Sequence, residues 1–445
     1  MASDTITSQE SERTYPHYRR NFGAFLADYS LFGVAMAFMN PNTVLPAFMR
    51  QLTDSPLLIG LNGTIQTTGW LIPQLIAATY LGDKAQKKRY ILIPGAIGRP
   101  LVFVLVLALL TGAARFPALM LATVYLSMAV FWVCDALASV AWFDVLGRAI
   151  PARRRGRLFS GGQVISGVLT VTAGWVINFI LGDAGPPWPD NYATLFLIAG
   201  GLFGLSWFAI AAIKEPRGTP QTDEAQLHAP FLQRLTRIWK RDRDFRLYIA
   251  VRLLSGFSGL ALPFYVIYAT DILRLGQGVV GSFTSAQVIG GIIGGVILGT
   301  LYERHGGRRT IQLGVSVGML APLCALLLPM AMPIGHPWMV YGYSLVFVAL
   351  GVYNSNFMQG FFNYLLDLSP PDERTTYIAL SNTLNGALLW PMTLIGGAIL
   401  RVTGNSYTTL FAATAAGMGL GLICITWMTE PRSRSRPGPS LTSAT

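Results

Sequence analysis

Long apolar stretches separated by short polar segments dominate this chain of 445 residues. The stretches are continuous rather than alternating, and most reach the roughly 20 residues that an α-helix needs to cross a bilayer. Strict alternation would be typical of a transmembrane β-strand instead. We therefore predict an all-α integral membrane protein with twelve transmembrane helices. The predicted spans lie near 22–46, 57–80, 91–112, 118–145, 160–182, 192–213, 247–270, 282–301, 311–333, 338–366, 378–401 and 406–428.

Composition supports this interpretation. The chain is 52% hydrophobic and only 12% charged, and its mean hydropathy is +0.47. Soluble domains carry roughly 25% charged residues. Ordinary soluble enzymes and nucleic-acid-binding proteins are therefore poor candidates.

The net charge of +12 is explained by where the basic residues lie. If the N-terminus is cytoplasmic, 27 of the 33 Lys and Arg residues fall at the inner side and four fall in outer loops. Basic residues concentrate in cytoplasmic loops of membrane proteins. We therefore expect both termini in the cytoplasm, and the positive charge requires no nucleic acid.

Polar segments divide the chain into five parts. A cytoplasmic N-terminal tail (1–21) precedes a six-helix bundle (22–213), and a central loop (214–246) leads to a second six-helix bundle (247–428). In the loop, Phe231, Leu235, Ile238 and Trp239 have the spacing of a short amphipathic helix with basic residues between them. Such a helix suits the inner membrane surface, as an anchor rather than a regulatory site. The cytoplasmic tail 429–445 has a composition typical of disorder.

Metal and cofactor chemistry is not indicated. The three cysteines, Cys134, Cys324 and Cys424, stand singly in apolar runs, and all four histidines lie outside the predicted spans. Neither set has metal-ligand spacing, and the spans contain no nucleophile–base constellation. We expect no metal, no cofactor and no enzyme activity.

The two halves of the chain repeat each other. Residues 81–89 (LGDKAQKKR) follow the second span and 301–309 (LYERHGGRR) follow the eighth, an offset of 220. Gln66 and Gln287 correspond at an offset of 221, and Pro151 and Pro370 at 219. Three nearly equal offsets indicate a duplicated six-helix unit.

These loops resemble the signature of the major facilitator superfamily, G-x-L-a-D-r-x-G-r-R. Residues 299–309 match it with Glu303 in place of the usual aspartate, and the first copy keeps Asp83 but has Lys87 where the second glycine belongs. The resemblance implies two six-helix bundles around a cavity lined by spans 1, 4, 7 and 10, with transport by alternating access. It further implies a bacterial-type carrier of a small molecule, acting as a monomer in the plasma (bacterial inner) membrane.

The signature loops are candidates for a cytoplasmic latch between the halves. A carboxylate there can cap a helix N-terminus in one rocking state only, and neighbouring basic residues can hold it. The alternative is that these residues only set topology, and Asp144 could simply pair with Arg148 at i,i+4. The latch candidates are Asp83, Lys88, Arg89, Asp144, Glu303, Arg304, Arg308, Arg309 and Asp367.

Three charges inside the spans are candidates for binding protons or substrate, because intramembrane charges are costly and usually functional. Asp135 lies near the middle of span 4, Asp28 lies about two turns into span 1, and Arg99 lies in span 3 at a depth comparable to Asp135. We predict Asp135 or Asp28 as the proton or substrate site, with Arg99 as the partner. A static buried pair is the alternative, as is solvation of Asp28 from the cytoplasm.

Amides form a further candidate set. Asn356, Gln359, Asn363 and Asp367 fall at spacings of 3, 4 and 4 in span 10, which predicts one helical stripe. Such a stripe suits a hydroxyl- or amide-bearing solute, but amides also join helices within bilayers. Asn354 is the repeat partner of Asp135 (354 − 135 = 219). The remaining polar candidates are Gln66 and Gln287.

The predicted function is secondary active transport of a small organic solute, with proton coupling by symport or antiport. The alternative is a non-transporting membrane sensor or assembly factor on the same scaffold. Within transport, drug or metabolite efflux is the alternative to uptake of a polar solute.

Overall fold

The computed structural model describes residues 15, 17–81, 84–216, 231–334, 336, 338–370 and 373–431. Throughout those ranges every regular element is helical. Eleven of these helices are long and apolar enough to cross a bilayer, and Pro56–Leu81, with 26 residues, has the length for a further crossing.

The spans are numbered α1 to α12 in chain order. The first six are α1 (Tyr18–Phe38), α2 (Pro56–Leu81), α3 (Arg89–Leu110), α4 (Pro117–Ala149), α5 (Ala152–Leu181) and α6 (Asp190–Ala211). The second six are α7 (Arg243–Ile272), α8 (Val279–His305), α9 (Gly307–Ala331), α10 (Met339–Leu368), α11 (Thr376–Val402) and α12 (Tyr407–Ile425). The two shorter helices Val44–Arg50 and Phe231–Arg241 follow α1 and precede α7.

Two of the spans are locally irregular where candidate residues lie. The helix α3 consists of Arg89–Gly98 and Leu101–Leu110, with a break at Arg99 and Pro100. Pro100 has no N–H to donate to the preceding turn, which explains the break. In α10, a π-helical stretch from Phe357 to Phe362 follows Asn356. A π-helical turn holds more residues than an α-helical turn, so it shifts the faces on either side of it.

Helix packing repeats between the halves with a shift of six. In the first half α1 packs against α5 and α6, and in the second α7 packs against α11 and α12. Likewise α3 packs against α4 and α6, and α9 packs against α10 and α12. Large apolar side chains outside these contacts point outward, as bilayer-facing residues do. Val402 is 86% exposed and Trp175 is 74% exposed.

The chain forms two compact units whose boundary is not the midpoint of the duplication. The first contains Met1–Glu224 and Val266–Ser285, and the second contains Ala225–Tyr265 and Ala286–Thr445. Polar contacts attach residues 266–285 to the rest of the first unit. Arg50 Nε lies 2.5 Å from Asp271 Oδ2, and the amide of Asn178 donates to Ser282 Oγ at 2.8 Å.

Candidate functional site

The first unit contains a cavity of about 430 Å³ among its helices. This volume lies in the range of small-molecule sites, roughly 300–1,000 Å³. Its charged lining residues are Asp28 on α1, Arg99 on α3 and Asp135 on α4. The three intramembrane charges that the sequence singled out therefore lie at one cavity. Its aromatic lining comes from Tyr29, Phe32, Trp70, Trp142, Phe143 and Phe159.

Asp28 is the fully partnered carboxylate of the cavity. Its side chain is 7% exposed, and its Oδ1 lies 3.7 Å from Arg99 Nη2. The indole of Trp142 donates to its Oδ2 at 2.8 Å, and the hydroxyl of Ser206 donates to its Oδ1. A buried carboxylate needs such donors because it has lost its water. The geometry thus makes Asp28 a fixed element of the wall.

Arg99 is likewise held in place by several contacts. Its Nη1 donates to the carbonyl of Phe203 at 3.0 Å and to Ser206 Oγ at 3.1 Å. Its guanidinium lies 5.7 Å from the centre of the Phe32 ring, a cation–π distance. In the described part of the chain, Asp28 is the carboxylate that lies within ion-pair distance of Arg99.

Asp135 has a different environment. It lines the same cavity and is partly exposed, yet none of the hydrogen bonds or ion pairs among the described residues involves it. Since Asp28 and Arg99 offset each other, an ionised Asp135 gives the cavity one net negative charge. An uncompensated carboxylate at this depth is costly unless it binds a proton or a cation.

The predicted amide stripe on α10 is interrupted. Asn356 precedes the π-helical stretch and is fully buried, and its amide donates to the carbonyl of Ile311 on α9 at 3.3 Å. Asn363 follows that stretch and donates to the carbonyl of Gln359 in its own helix at 3.2 Å. The π-helical residues change the angular register between Asn356 and Asn363, so the predicted stripe does not run along a regular α-helix. Asn356 joins helices, which was the alternative interpretation.

The other polar candidates are not among the residues that line the cavity of the first unit. Gln66 is half-buried on α2, and Asn354 is exposed on α10. Gln287 is 7% exposed on α8. The carboxylate of Asp367 accepts a hydrogen bond from the hydroxyl of Tyr302 at 2.8 Å.

Among the latch candidates, Lys88 contacts the end of a helix in its own bundle. Its ammonium donates to the carbonyls of Ala211 and Ile213 at 2.7 and 2.6 Å, just where α6 ends. In return, the Glu215 carboxylate accepts the backbone N–H groups of Lys87 and Lys88 at 2.6 and 2.9 Å, before α3 begins. Burial and the nearby Arg20 lower the pKa of Lys88, and Glu215 opposes that shift.

Arg308 makes the corresponding contacts in the second unit. Its guanidinium donates to the carbonyls of Ile425 and Thr426 at 3.2 and 2.9 Å, at the end of α12. The backbone N–H of Arg308 donates to the Glu430 carboxylate at 3.0 Å. Helix ends have unsatisfied carbonyl and N–H groups, and charged side chains satisfy both here.

Asp144 forms a charged cluster with two basic neighbours. It lies 2.5 Å from Lys87 Nζ and 2.5 Å from Arg148 Nη2, so the i,i+4 pair that was the alternative interpretation does form. Arg89 donates to the hydroxyl of Tyr90 at 2.8 Å, while Glu303, Arg304 and Arg309 are exposed. Asp83 lies outside the described residues.

Sequence reasoning missed the donors that distinguish the two carboxylates. Ser206 is 178 residues from Asp28 along the chain and Trp142 is 114 residues away, so no local pattern marks Ser206. Trp142 offered one signal, because it lies seven residues after Asp135 on α4 and thus on the same helical face. Across the described ranges, no three His, Cys, Asp or Glu side chains form a group that could hold a metal ion.

Comparison with known proteins places the chain in a family. The Major Facilitator Superfamily matches residues 29–392, whereas no curated protein sequence matches the chain.

Solved structures of transporters share the fold at low identity. The nucleoside transporter NupG has a TM-score of 0.66 at 12% identity, covering 93% of this chain and 99% of that one. A bacterial homologue of the iron transporter ferroportin in an inward-facing state has 0.64 at 15%, covering 94% and 99%. A D-xylose-proton symporter has 0.63 at 14%, covering 93% and 97%.

Family and neighbours indicate a transporter rather than an enzyme, and they confirm the all-α fold of membrane-spanning helices. The chain is therefore a multi-pass membrane protein that belongs to the Major Facilitator Superfamily.

Proposed function

We propose that this protein is a secondary active transporter that moves a small organic solute by alternating access and is coupled to protons. In this proposal Asp135 is the group that binds the proton or the substrate, and Asp28 with Arg99 holds the shape and charge of the cavity wall.

One observation carries the proposal: Asp135 faces a cavity of small-molecule size without a hydrogen-bond or ion-pair partner among the described residues. A carboxylate that served only to stabilise packing would be expected to have donors, as Asp28 has. A carboxylate without such partners can instead bind a proton or a substrate and release it when access to water changes from one side of the membrane to the other. The proton-coupled xylose symporter among the fold neighbours is consistent with such coupling.

Proton flux in proteoliposomes loaded with a pH-sensitive dye tests this proposal. A panel of organic solutes is added to vesicles, and the active solute should change the internal pH as it is transported. Asp135→Asn should abolish accumulation driven by a pH gradient while exchange or binding stays measurable. Asp183→Asn is the matched control, because Asp183 is an exposed carboxylate before α6. Transport without proton flux, or normal accumulation by Asp135→Asn, would contradict the proposal.

We also propose the orientation with both termini cytoplasmic in the plasma (bacterial inner) membrane, with the protein acting as a monomer. The orientation is supported by the distribution of the basic residues, of which 27 fall at the inner side and four in outer loops. Single cysteines introduced at positions 187 and 228 of a cysteine-free variant should react with impermeant thiol reagents from opposite sides. Labelling of both from one side would exclude this orientation.

The cytoplasmic latch remains part of the proposal, centred on Asp83 and Glu303. Asp83→Asn should shift the conformational equilibrium without loss of expression, because it removes a contact available in one state only. Spin-label distances across the cytoplasmic face should lengthen. Unchanged distances with normal transport would reduce Asp83 to a topology residue.

A further inference from the structure

We propose that the solute bound at this cavity is a monovalent organic cation, an ammonium group attached to an apolar body. This inference rests on the proposed function, since it names the substrate class of the same site. It follows from the charge of the cavity, the engagement of its polar groups and the chemistry of its walls.

The charge of the cavity selects a cation. Asp28 and Arg99 lie 3.7 Å apart and offset each other, which leaves the single negative charge that Asp135 carries when it is ionised. A monovalent cation would neutralise that charge, whereas an anion would add a second negative charge where water is scarce. Charge complementarity of this kind determines which ligand class can enter a low-dielectric site.

Arg99 is not placed to bind an anionic solute. Its Nη1 is occupied by the carbonyl of Phe203 and by Ser206 Oγ, and its Nη2 faces Asp28. A carboxylate ligand would have to displace these partners and leave Asp28 without its cation. That exchange leaves a buried charge unpaired and is unfavourable.

The polar groups of the cavity are also poorly suited to a sugar or another polyol. The hydroxyl of Tyr29 donates to Gln163 Oε1 at 3.0 Å, and Ser139 Oγ donates to the carbonyl of Ala136 in its own helix at 2.8 Å. The Trp142 N–H is engaged by Asp28. Recognition of hydroxyl groups requires free and matched donors and acceptors, and the polar groups of Tyr29, Ser139 and Trp142 at this cavity already serve the protein.

The aromatic rings supply what an organic cation needs. Trp70, Trp142, Phe143 and Phe159 line the cavity together with Asp135. Ring faces attract ammonium groups and also pack against apolar carbon. The combination of one carboxylate with several rings therefore fits both parts of such a solute, and it differs from the hydroxyl- or amide-bearing solute that the α10 amides suggested.

Binding of three compounds that share a phenyl body and differ in the head group tests the inference. Phenethylammonium, 2-phenylethanol and phenylacetate are titrated into the purified full-length protein by calorimetry at neutral pH. We expect the ammonium compound to bind about tenfold more tightly than the alcohol, and the acid to show no binding. Asp135→Asn should reduce the ammonium affinity to that of the alcohol, and Asp183→Asn should leave it unchanged.

A second variant guards against loss of folding. Asp135→Glu keeps the charge and should retain the preference for the ammonium head group. The inference is overturned if none of the compounds binds, if the alcohol or the acid binds as tightly as the ammonium, or if Asp135→Asn keeps the preference. Proton-coupled transport of a neutral solute would overturn this inference and leave the proposed function intact. Selective ammonium binding without any proton-coupled transport would overturn only the proposed function.

Discussion

The two halves of the chain share their packing and differ in their interior chemistry. At an offset of 219, Asp135 of the first half corresponds to Asn354, and Arg99 corresponds to Gly318. A side chain at Gly318 would collide with the Tyr353 ring, since a Cβ there would lie 2.6 Å from Tyr353 Cδ2. The second half therefore has a close helix contact at the position where the first half has a charge.

The second half does contain one intramembrane cation, Arg252, but it is held by neutral groups. Its Nη1 lies 3.0 Å from the hydroxyl of Tyr248, and its guanidinium lies 4.7 Å from the centre of the Phe357 ring. In the first half Arg99 faces a carboxylate instead. The two halves thus share helix contacts and end-capping contacts, while the carboxylates that line the cavity, Asp28 and Asp135, belong to the first half.

The largest effect is expected from exchanging the two corresponding residues. In the double variant Asp135→Asn/Asn354→Asp, gradient-driven transport should stay abolished, because Asn354 is exposed and its half has Gly318 where the first half has Arg99. Uptake into proteoliposomes under a pH gradient measures this. Restored accumulation would mean that the halves are interchangeable, contrary to the comparison.

Removal of the partner of each half-buried arginine, Arg99 and Arg252, should have unequal effects on stability. Asp28→Asn should destabilise the protein by about 3 kcal/mol, because Arg99 would lose its carboxylate. Tyr248→Phe should cost less, about 1 to 2 kcal/mol, because the hydrogen bonds that its hydroxyl accepts from Arg252 and Ser381 would be lost. The monodisperse fraction remaining after heating, followed by size-exclusion chromatography, compares the two. Equal losses would show that the Asp28–Arg99 ion pair contributes no more to stability than the contacts of the Tyr248 hydroxyl.

The glutamate that joins the ends of α3 and α6 should have a smaller effect. Glu215 accepts two backbone N–H groups and lies 3.2 Å from Arg148. Glu215→Gln is therefore expected to cost about 2 kcal/mol. The same heating assay measures this cost, and a loss as large as that of Asp28→Asn would contradict the ranking.

The smallest effect is expected at the interrupted amide stripe. Asn363→Ala should change the transport rate by less than about twofold, because among the described residues its amide donates to the Gln359 carbonyl of its own helix alone. Initial uptake rates at matched expression give the comparison. A severe loss of transport would indicate that the α10 amides contribute to the substrate site.

Much of the fold could be predicted from local sequence. A span of about 20 apolar residues has few stable forms in a bilayer besides an α-helix, because lipid offers no hydrogen bonds to the backbone. The π-helical stretch Phe357–Phe362 could not be predicted in this way, since its residues are as apolar as those of a regular helix. This stretch lies between Asn356 and Asn363 and changes the angular register of the helix between them.

The sequence by itself determined the membrane class, the twelve spans, the duplication and the three interior charges, because hydrophobicity and charge act at short range along a helix. Tertiary structure alone decided which carboxylate is partnered. Asp28 receives donors from α4 and α6, whereas Asp135, on α4 itself, faces the cavity. Both residues are aspartates in apolar runs, and only the arrangement of distant helices, which sets the hydrogen-bond donors around each carboxylate, makes them different.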